Sequence, residues 1–142
     1  MIRGRVVGHE AEVAVILRRP GQRDIEIAFV VDTGFEGTLS LPSAAVVALG
    51  LPYYTELDVR LADDSATRTK VYIAPIVWNG VQMDAAVLAT GRRPLLGTAL
   101  LSGKRLEIEF VNAGRVTIDD MPWTTNAQAI PTIDTGALSP RH

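Results

Sequence analysis

The chain of 142 residues contains no cysteine, which excludes disulfide bonds, thiol nucleophiles and cysteine-based metal sites. It contains only two histidines, His9 and His142, near its opposite ends. A Ser-His-Asp triad or a histidine-rich metal site therefore has almost nothing to be built from. The sequence also lacks a P-loop, a Gly-x-Ser-x-Gly elbow and a Gly-x-Gly-x-x-Gly fingerprint. By elimination, any chemistry must rely on carboxylates or hydroxyls, and we expect neither a metal nor a cofactor.

Strong charge and long apolar runs are missing as well. The net charge is −2, from 14 basic and 16 acidic residues without a basic block, so we expect no nucleic-acid partner. No run approaches the roughly 18 apolar residues of a membrane helix, and polar residues interrupt the N-terminal segment before it resembles a signal peptide. These features predict a cytoplasmic protein with no membrane partner.

Short apolar and alternating runs dominate the rest of the sequence and predict a β protein. A short helix is predicted at residues 43–49, with Ser43 as its N-cap and Gly50 as its stop, and a helical turn at residues 98–101. Asn79-Gly80 predicts a tight hairpin. We expect an all-β, mostly antiparallel, closed and barrel-like single lobe at residues 1–119, followed by a polar tail at 120–142. The predicted strands are residues 13–17, 25–31, 38–41, 57–61, 67–77, 81–88, 106–110 and 116–118.

The tripeptide Asp32-Thr33-Gly34 follows the apolar run at 27–31, so it puts a carboxylate where a buried strand ends. Two carboxylates about 3 Å apart share one proton, and such a pair can hydrolyse a peptide bond. Thr33 adds a hydroxyl that can lock the loop. Gly34 permits unusual backbone angles and a close approach by substrate. The alternative is that Asp32 is only a turn residue, since Asp-Thr-Gly also suits the end of a strand.

The segment from Val31 to Leu39, together with Pro94-Leu95-Leu96-Gly97, resembles the retroviral-type single-lobe aspartic proteases (retropepsin-like, clan AA), and their bacterial branch most of all. The resemblance covers roughly residues 10–118. It implies a closed, mostly antiparallel fold that holds the aspartate in a ψ-shaped loop. It also implies that the protein acts as a homodimer in which each chain contributes one aspartate.

The resemblance assigns roles to the residues that match the motif. Asp32 is the implied catalytic carboxylate, Thr33 the lock between subunits and Gly34 part of the substrate channel. Leu95, Leu96 and Gly97 are implied to cross behind the active loop. One departure is Thr98, because the retroviral enzymes carry an arginine after this glycine, so the geometry of the dimer does not carry over.

The resemblance also implies a substrate-binding surface. Phe35 and Glu36 match positions near the substrate, although Glu36 also suits a solvated loop. The hairpin from Leu57 to Tyr72 is the implied flap over the substrate, which puts Asp63 and Asp64 at its tip. This tip is acidic and lacks the glycines of retroviral flaps.

We therefore expect an aspartic endopeptidase that cleaves polypeptides as a homodimer. The rival interpretation is a non-catalytic domain of the same fold that dimerises or binds peptides. A second Asp134-Thr135-Gly136 invites a two-lobed interpretation, but only residues 137–142 follow it, too few for a second lobe. We interpret it as a coincidence in the tail. Arg92 and Arg93 are expected in an exposed loop, and His9 at the surface.

Overall fold

The computed structural model describes residues 1–60 and 63–122. The predicted tail from residue 123 on, with the second Asp-Thr-Gly, lies outside the described residues. The elements are β1 (Ile2–Val7), β2 (Glu10–Leu17), β3 (Ile25–Val31), β4 (Leu39–Leu41), α1 (Ser43–Leu49), β5 (Tyr53–Arg60), β6 (Ala66–Trp78), β7 (Val81–Ala89), β8 (Leu95–Leu96), a 3-10 turn (Thr98–Leu100), β9 (Lys104–Ile108) and β10 (Arg115–Asp120).

One large sheet accounts for most of the described chain, in the order β5-β6-β7-β4-β8-β3-β2-β1-β10-β9. Every neighbouring pair is antiparallel except β3 with β8 and β4 with β7. The end of β2 also pairs with β6, where Ile16 lies opposite Val77 and Leu17 opposite Ile76. The predicted all-β, mostly antiparallel architecture with two short helical pieces is confirmed. The described part of the chain has no helix with the length and apolar character that a membrane span requires.

The core forms because side chains on a strand alternate between its two faces. In β2, Val13, Val15 and Leu17 are buried, whereas Ala14 and Ile16 between them are exposed. Each fully buried large apolar side chain contributes about 1.5–3 kcal/mol relative to its exposed state. The largest buried side chains come from strands throughout the sheet and include Phe29, Leu39, Leu41, Ile76, Leu96 and Ile118.

Strand β1 was not predicted, because Gly4 weakens the apolar alternation of Ile2 and Val6. The structure explains this glycine. A Cβ added to Gly4 would lie 2.0 Å from the carbonyl oxygen of Glu12 on the neighbouring strand. The close approach of β1 to β2 therefore requires glycine at this position.

The predicted cap of α1 is wrong, and its predicted stop is confirmed. Ser43 is already helical and Pro42 occupies the cap position, while the Ser43 hydroxyl donates to the carbonyl of Ala89 at 3.4 Å. Gly50 ends the helix in the left-handed region with φ 65°. The predicted tight hairpin between β6 and β7 is also confirmed, since Asn79 and Gly80 both have positive φ.

Candidate active site

Asp32 is the first residue after β3 and is held by three backbone contacts. Its N–H donates to the carbonyl of Leu96 at 2.9 Å, and its own carbonyl accepts the N–H of Phe35 at 3.1 Å. Its Oδ1 accepts the N–H of Gly34 at 2.9 Å, the bond of an Asx turn. This turn uses one carboxylate oxygen of the half-buried side chain, and no hydrogen bond within the described residues engages the second oxygen.

Strand β8 supports the Asp32 loop from behind. It lies between β3 and β4, parallel to β3 and antiparallel to β4. Leu96 is opposite both Val31 and Leu39, and the N–H of Gly97 donates to the carbonyl of Thr38 at 2.9 Å. The loop that joins β3 to β4 therefore passes around the end of β8, a segment from about 60 residues later in the chain.

Gly97 makes this crossing sterically possible. A Cβ at Gly97 would lie 2.1 Å from the carbonyl oxygen of Gly37 and 2.7 Å from that of Phe35. Thr98 follows and ties the loop down, because its N–H donates to the carbonyl of Phe35 at 2.8 Å and its hydroxyl donates to the same oxygen at 3.3 Å. Thr98 therefore fastens the loop between β3 and β4 through the carbonyl of Phe35.

Asp32 opens into a cleft of about 400 Å³. The polar side chains of its lining are His9, Glu10, Asp32, Thr33 and Arg93. A larger hollow, of about 520 Å³, lies over β1, β9 and β10, but its polar lining consists of ordinary surface groups such as the ion pair of Glu109 with Arg115, 3.4 Å apart. We regard the smaller cleft as the candidate site because Asp32 and Thr33 of the Asp-Thr-Gly motif line it.

Glu10 and Arg93 form an ion pair in the wall of this cleft. The two terminal nitrogens of Arg93 donate to the two carboxylate oxygens of Glu10, a bidentate arrangement. These hydrogen bonds raise the pKa of Arg93, and the negative charge of Asp32 adds to the effect. Sequence patterns gave no sign of this pair, because the partners are 83 positions apart.

Apolar side chains complete the lining, including Leu95, Ile108 and Phe110. The predicted strand at 106–110 extends two residues too far, so it is wrong for Phe110. Strand β9 ends at Ile108, and Phe110 is 70% exposed. Residues 109–114 form the connection that returns into β10, and the ring of Phe110 is part of the cleft lining rather than of the core.

The other predicted residues of the loop lie in different surroundings. Thr33 and Gly34 are exposed, and Thr33 lines the cleft. Gly34 does not have a positive φ, so the expectation of unusual backbone angles is wrong at this position. The ring of Phe35 packs under the loop, where a Cβ at Gly37 would lie 2.6 Å from it. Phe35 and the exposed Glu36 are not among the residues that line the cleft.

The hairpin to which the resemblance assigns the flap role is formed by β5 and β6, in which Leu57 lies opposite Thr69. Asp63 accepts hydrogen bonds from the backbone and hydroxyl of Ser65, and the side-chain bond is the main cause of its lowered pKa. Asp64 pairs with Arg60 at 3.1 Å. The contacts found at the tip are thus local, and neither aspartate lines the cleft of Asp32.

Comparison of the chain with protein-family models, with curated proteins and with solved structures finds no match.

Proposed function

We propose that this protein is a retropepsin-like aspartic endopeptidase whose active site contains one Asp32 from each of two chains. The observation that carries the proposal is the crossing of β8 between β3 and β4, directly behind the Asp-Thr-Gly loop. This crossing agrees with the ψ-shaped loop that the family resemblance implies. The short pairing of β2 with β6 supports the closed, barrel-like form of the lobe, because it joins strands that are far apart in the sheet order.

The chemistry requires the two Asp32 side chains to lie about 3 Å apart and to share one proton. The ionised carboxylate removes a proton from a water molecule, which attacks the peptide carbonyl carbon. The protonated carboxylic acid donates its hydrogen bond to the carbonyl oxygen as the carbon becomes tetrahedral. The N–H of Gly34 orients each carboxylate. The two groups titrate as a pair, and no covalent intermediate forms.

A second chain is the best source of the second carboxylate. Among the described residues, Glu10 is the other carboxylate that lines the cleft, and both of its oxygens are engaged by Arg93. Thr33 is exposed beside Asp32, where its hydroxyl is available for contact with another subunit. We therefore propose a homodimer in which the two Asp-Thr-Gly loops meet.

The proposed substrate is an extended polypeptide. Leu95, Ile108 and the exposed ring of Phe110 offer an apolar wall for substrate side chains. Main-chain hydrogen bonds to an added strand would supply binding energy that is independent of sequence. The hairpin of β5 and β6 is the proposed flap, which must close over the cleft when substrate binds.

The decisive experiment compares peptide cleavage by the wild type and by Asp32→Asn. We expect the wild type to cleave a proteome-derived peptide library and to be inhibited by a statine-type transition-state analogue. We expect Asp32→Asn to lose all library cleavages while its circular dichroism remains that of the wild type. Cleavage by Asp32→Asn at the same sites would remove Asp32 from the mechanism.

The rival function is a non-catalytic domain that dimerises or binds peptides. The Asx turn favours this rival, because the hydrogen bond from the Gly34 N–H to Asp32 explains an aspartate at the end of β3 without any catalytic role. A structure of the assembly discriminates between the two functions. Carboxylates of two Asp32 residues within hydrogen-bond distance support the enzyme, whereas carboxylates far apart in a stable dimer support the binding domain.

A further inference from the structure

The ion pair of Glu10 and Arg93 crosses the strand that carries Asp32. In the sheet, β3 lies between β2 and β8. Glu10 is the first residue of β2, and Arg93 lies two residues before the start of β8. Adjacent strands are about 4.8 Å apart, so the ion pair spans roughly 10 Å over the carboxyl end of β3. That end is where Asp32 begins the active loop.

The register of β2 and β3 places Glu10 directly beside Asp32. Glu12 is opposite Val30, and the same antiparallel register, continued by two residues, puts Glu10 opposite Asp32. Opposite residues on paired strands have their Cβ atoms about 4.5–5.5 Å apart. Both side chains line the same cleft. The site therefore has two neighbouring carboxylates, one of which is neutralised by a guanidinium.

Each half of the ion pair would disturb an aspartate dyad if it were alone. An uncompensated Arg93 favours the ionised form of a nearby acid, and an uncompensated Glu10 favours its protonated form. Asp32 contributes to the raised pKa of Arg93, which indicates that the two charges interact. A dyad that works with one shared proton is impaired by a shift towards either the fully ionised or the fully protonated form.

We infer that Glu10 and Arg93 bias the protonation of the Asp32 dyad in opposite directions, and that their pairing cancels the two biases. The inference rests on the proposed function. Both are positioning residues, because they act through Asp32 and not on the substrate. Among the described residues, His9 also lines the cleft, Glu12 on β2 also acts on the charge of Arg93, and Glu36 follows Asp32 in the same loop, while the lining residues of β8 and β9 carry no charge.

The test is the pH dependence of kcat/KM for Glu10→Gln, Arg93→Gln and the double variant. Glu10→Gln leaves a positive charge, so its profile should move to lower pH by roughly half a unit or more. Arg93→Gln leaves a negative charge, so its profile should move to higher pH by a similar amount. The double variant removes both charges, so its profile should lie close to that of the wild type. Arg93→Lys preserves the positive charge, so it should leave the profile in place.

Matched controls come from the far end of the same two strands, where Arg18 follows β2, Asp24 precedes β3, and the two form an ion pair at 3.8 Å. Asp24→Asn and Arg18→Gln remove one charge each outside the cleft, and we expect neither to move the profile. His9→Gln identifies any limb of the profile that belongs to the histidine. Active single variants whose profiles stay in place, or shift in the same direction, would overturn the inference.

A second measurement separates this inference from the proposed function. The ¹³C signal of the Asp32 carboxyl can be followed against pH in every variant, with or without cleavage. If the wild type cleaves nothing, the proposed function fails, and the inference still predicts opposite displacements of the Asp32 titration in Glu10→Gln and Arg93→Gln. Identical Asp32 titrations in the wild type and both variants would overturn it.

Discussion

Asp32 and Asp63 make the same local contact in two very different places. Each accepts the N–H of the residue two positions later, Gly34 at 2.9 Å and Ser65 at 3.1 Å. Both bonds define an Asx turn, which short polar side chains form readily wherever a strand ends. In this backbone-to-carboxylate hydrogen bond, the candidate catalytic residue and the hairpin-tip residue are alike.

The two turns differ in what lies behind them. The turn at Asp63 is exposed, and its acceptor bonds come from the neighbouring Ser65. The turn at Asp32 is bonded to Leu96 and rests on Gly97, which belong to a distant part of the chain. A strand end becomes a candidate active site when a second segment fixes the carboxylate in a cleft, and the Asx turn alone does not achieve this.

The largest expected difference between the two turns is catalytic. Under the proposed function, Asp32→Asn should lower kcat/KM by at least about 10³-fold, because general acid–base groups commonly contribute 10²–10⁴-fold and both copies are lost. Asp63→Asn should change kcat/KM less than about threefold, because Asp63 does not line the cleft. Steady-state cleavage of one fluorogenic peptide measures both. A comparable loss in the two variants would make the distinction between the turns wrong.

Stability should also distinguish the two regions. Leu96 is fully buried behind the Asp32 loop, whereas Leu57 on the hairpin is 48% exposed. We expect Leu96→Ala to lower the free energy of unfolding by about 2–5 kcal/mol, the usual range for a buried leucine. Leu57→Ala should cost less than about 1 kcal/mol. Urea unfolding followed by tryptophan fluorescence gives both values, and equal costs would mean that the crossing strand contributes no special support.

Gly97 and Gly34 test whether glycine is needed for the close approach of two backbones or for the flexibility of the loop. In Gly97→Ala, the new Cβ would meet the backbone carbonyl of Gly37 at 2.1 Å, a contact that no side-chain rotation relieves, so we expect a cost of about 3 kcal/mol. In Gly34→Ala, the nearest atom is Asp32 Oδ1 at 3.3 Å and φ is not positive, so the cost should be below about 1 kcal/mol. Thermal unfolding of both variants tests this order, and a reversed order would contradict the described crossing.

The smallest expected effect concerns the titration of Asp63. Its pKa is lowered mainly by the hydroxyl of Ser65, so Ser65→Ala should raise that pKa towards its ordinary value. A carboxyl with a lowered folded-state pKa stabilises the fold above its unfolded pKa and loses this contribution as the pH falls through the folded value. The wild type should therefore be more stable than Ser65→Ala only at pH values above that acidic range. ¹³C NMR titration of Asp63 measures the shift, and an unchanged midpoint would contradict it.

Much of the fold follows from residue patterns. The apolar run at 25–31 predicts β3 with the bounds that the structure has, and Asn79-Gly80 predicts the β6–β7 hairpin. These features depend on interactions within a few residues, so a single sequence contains the necessary information. Strand β1 was not predicted from the sequence. Its Gly4 allows the close approach to β2, and this requirement becomes apparent only when the two strands are paired.

The sequence by itself determined which residues carry the candidate chemistry, since Asp32, Thr33 and the Leu95–Gly97 segment belong to short motifs that are recognisable in the sequence. The tertiary structure alone decided how they meet: β8 inserted behind the loop, Phe110 turned out to the edge of the cleft, and Glu10 bonded to Arg93 across β3. The physical reason is that hydrogen bonds and charges act over a few ångströms in space. Strand register and crossing, which no local pattern encodes, determine which distant residues come within that range.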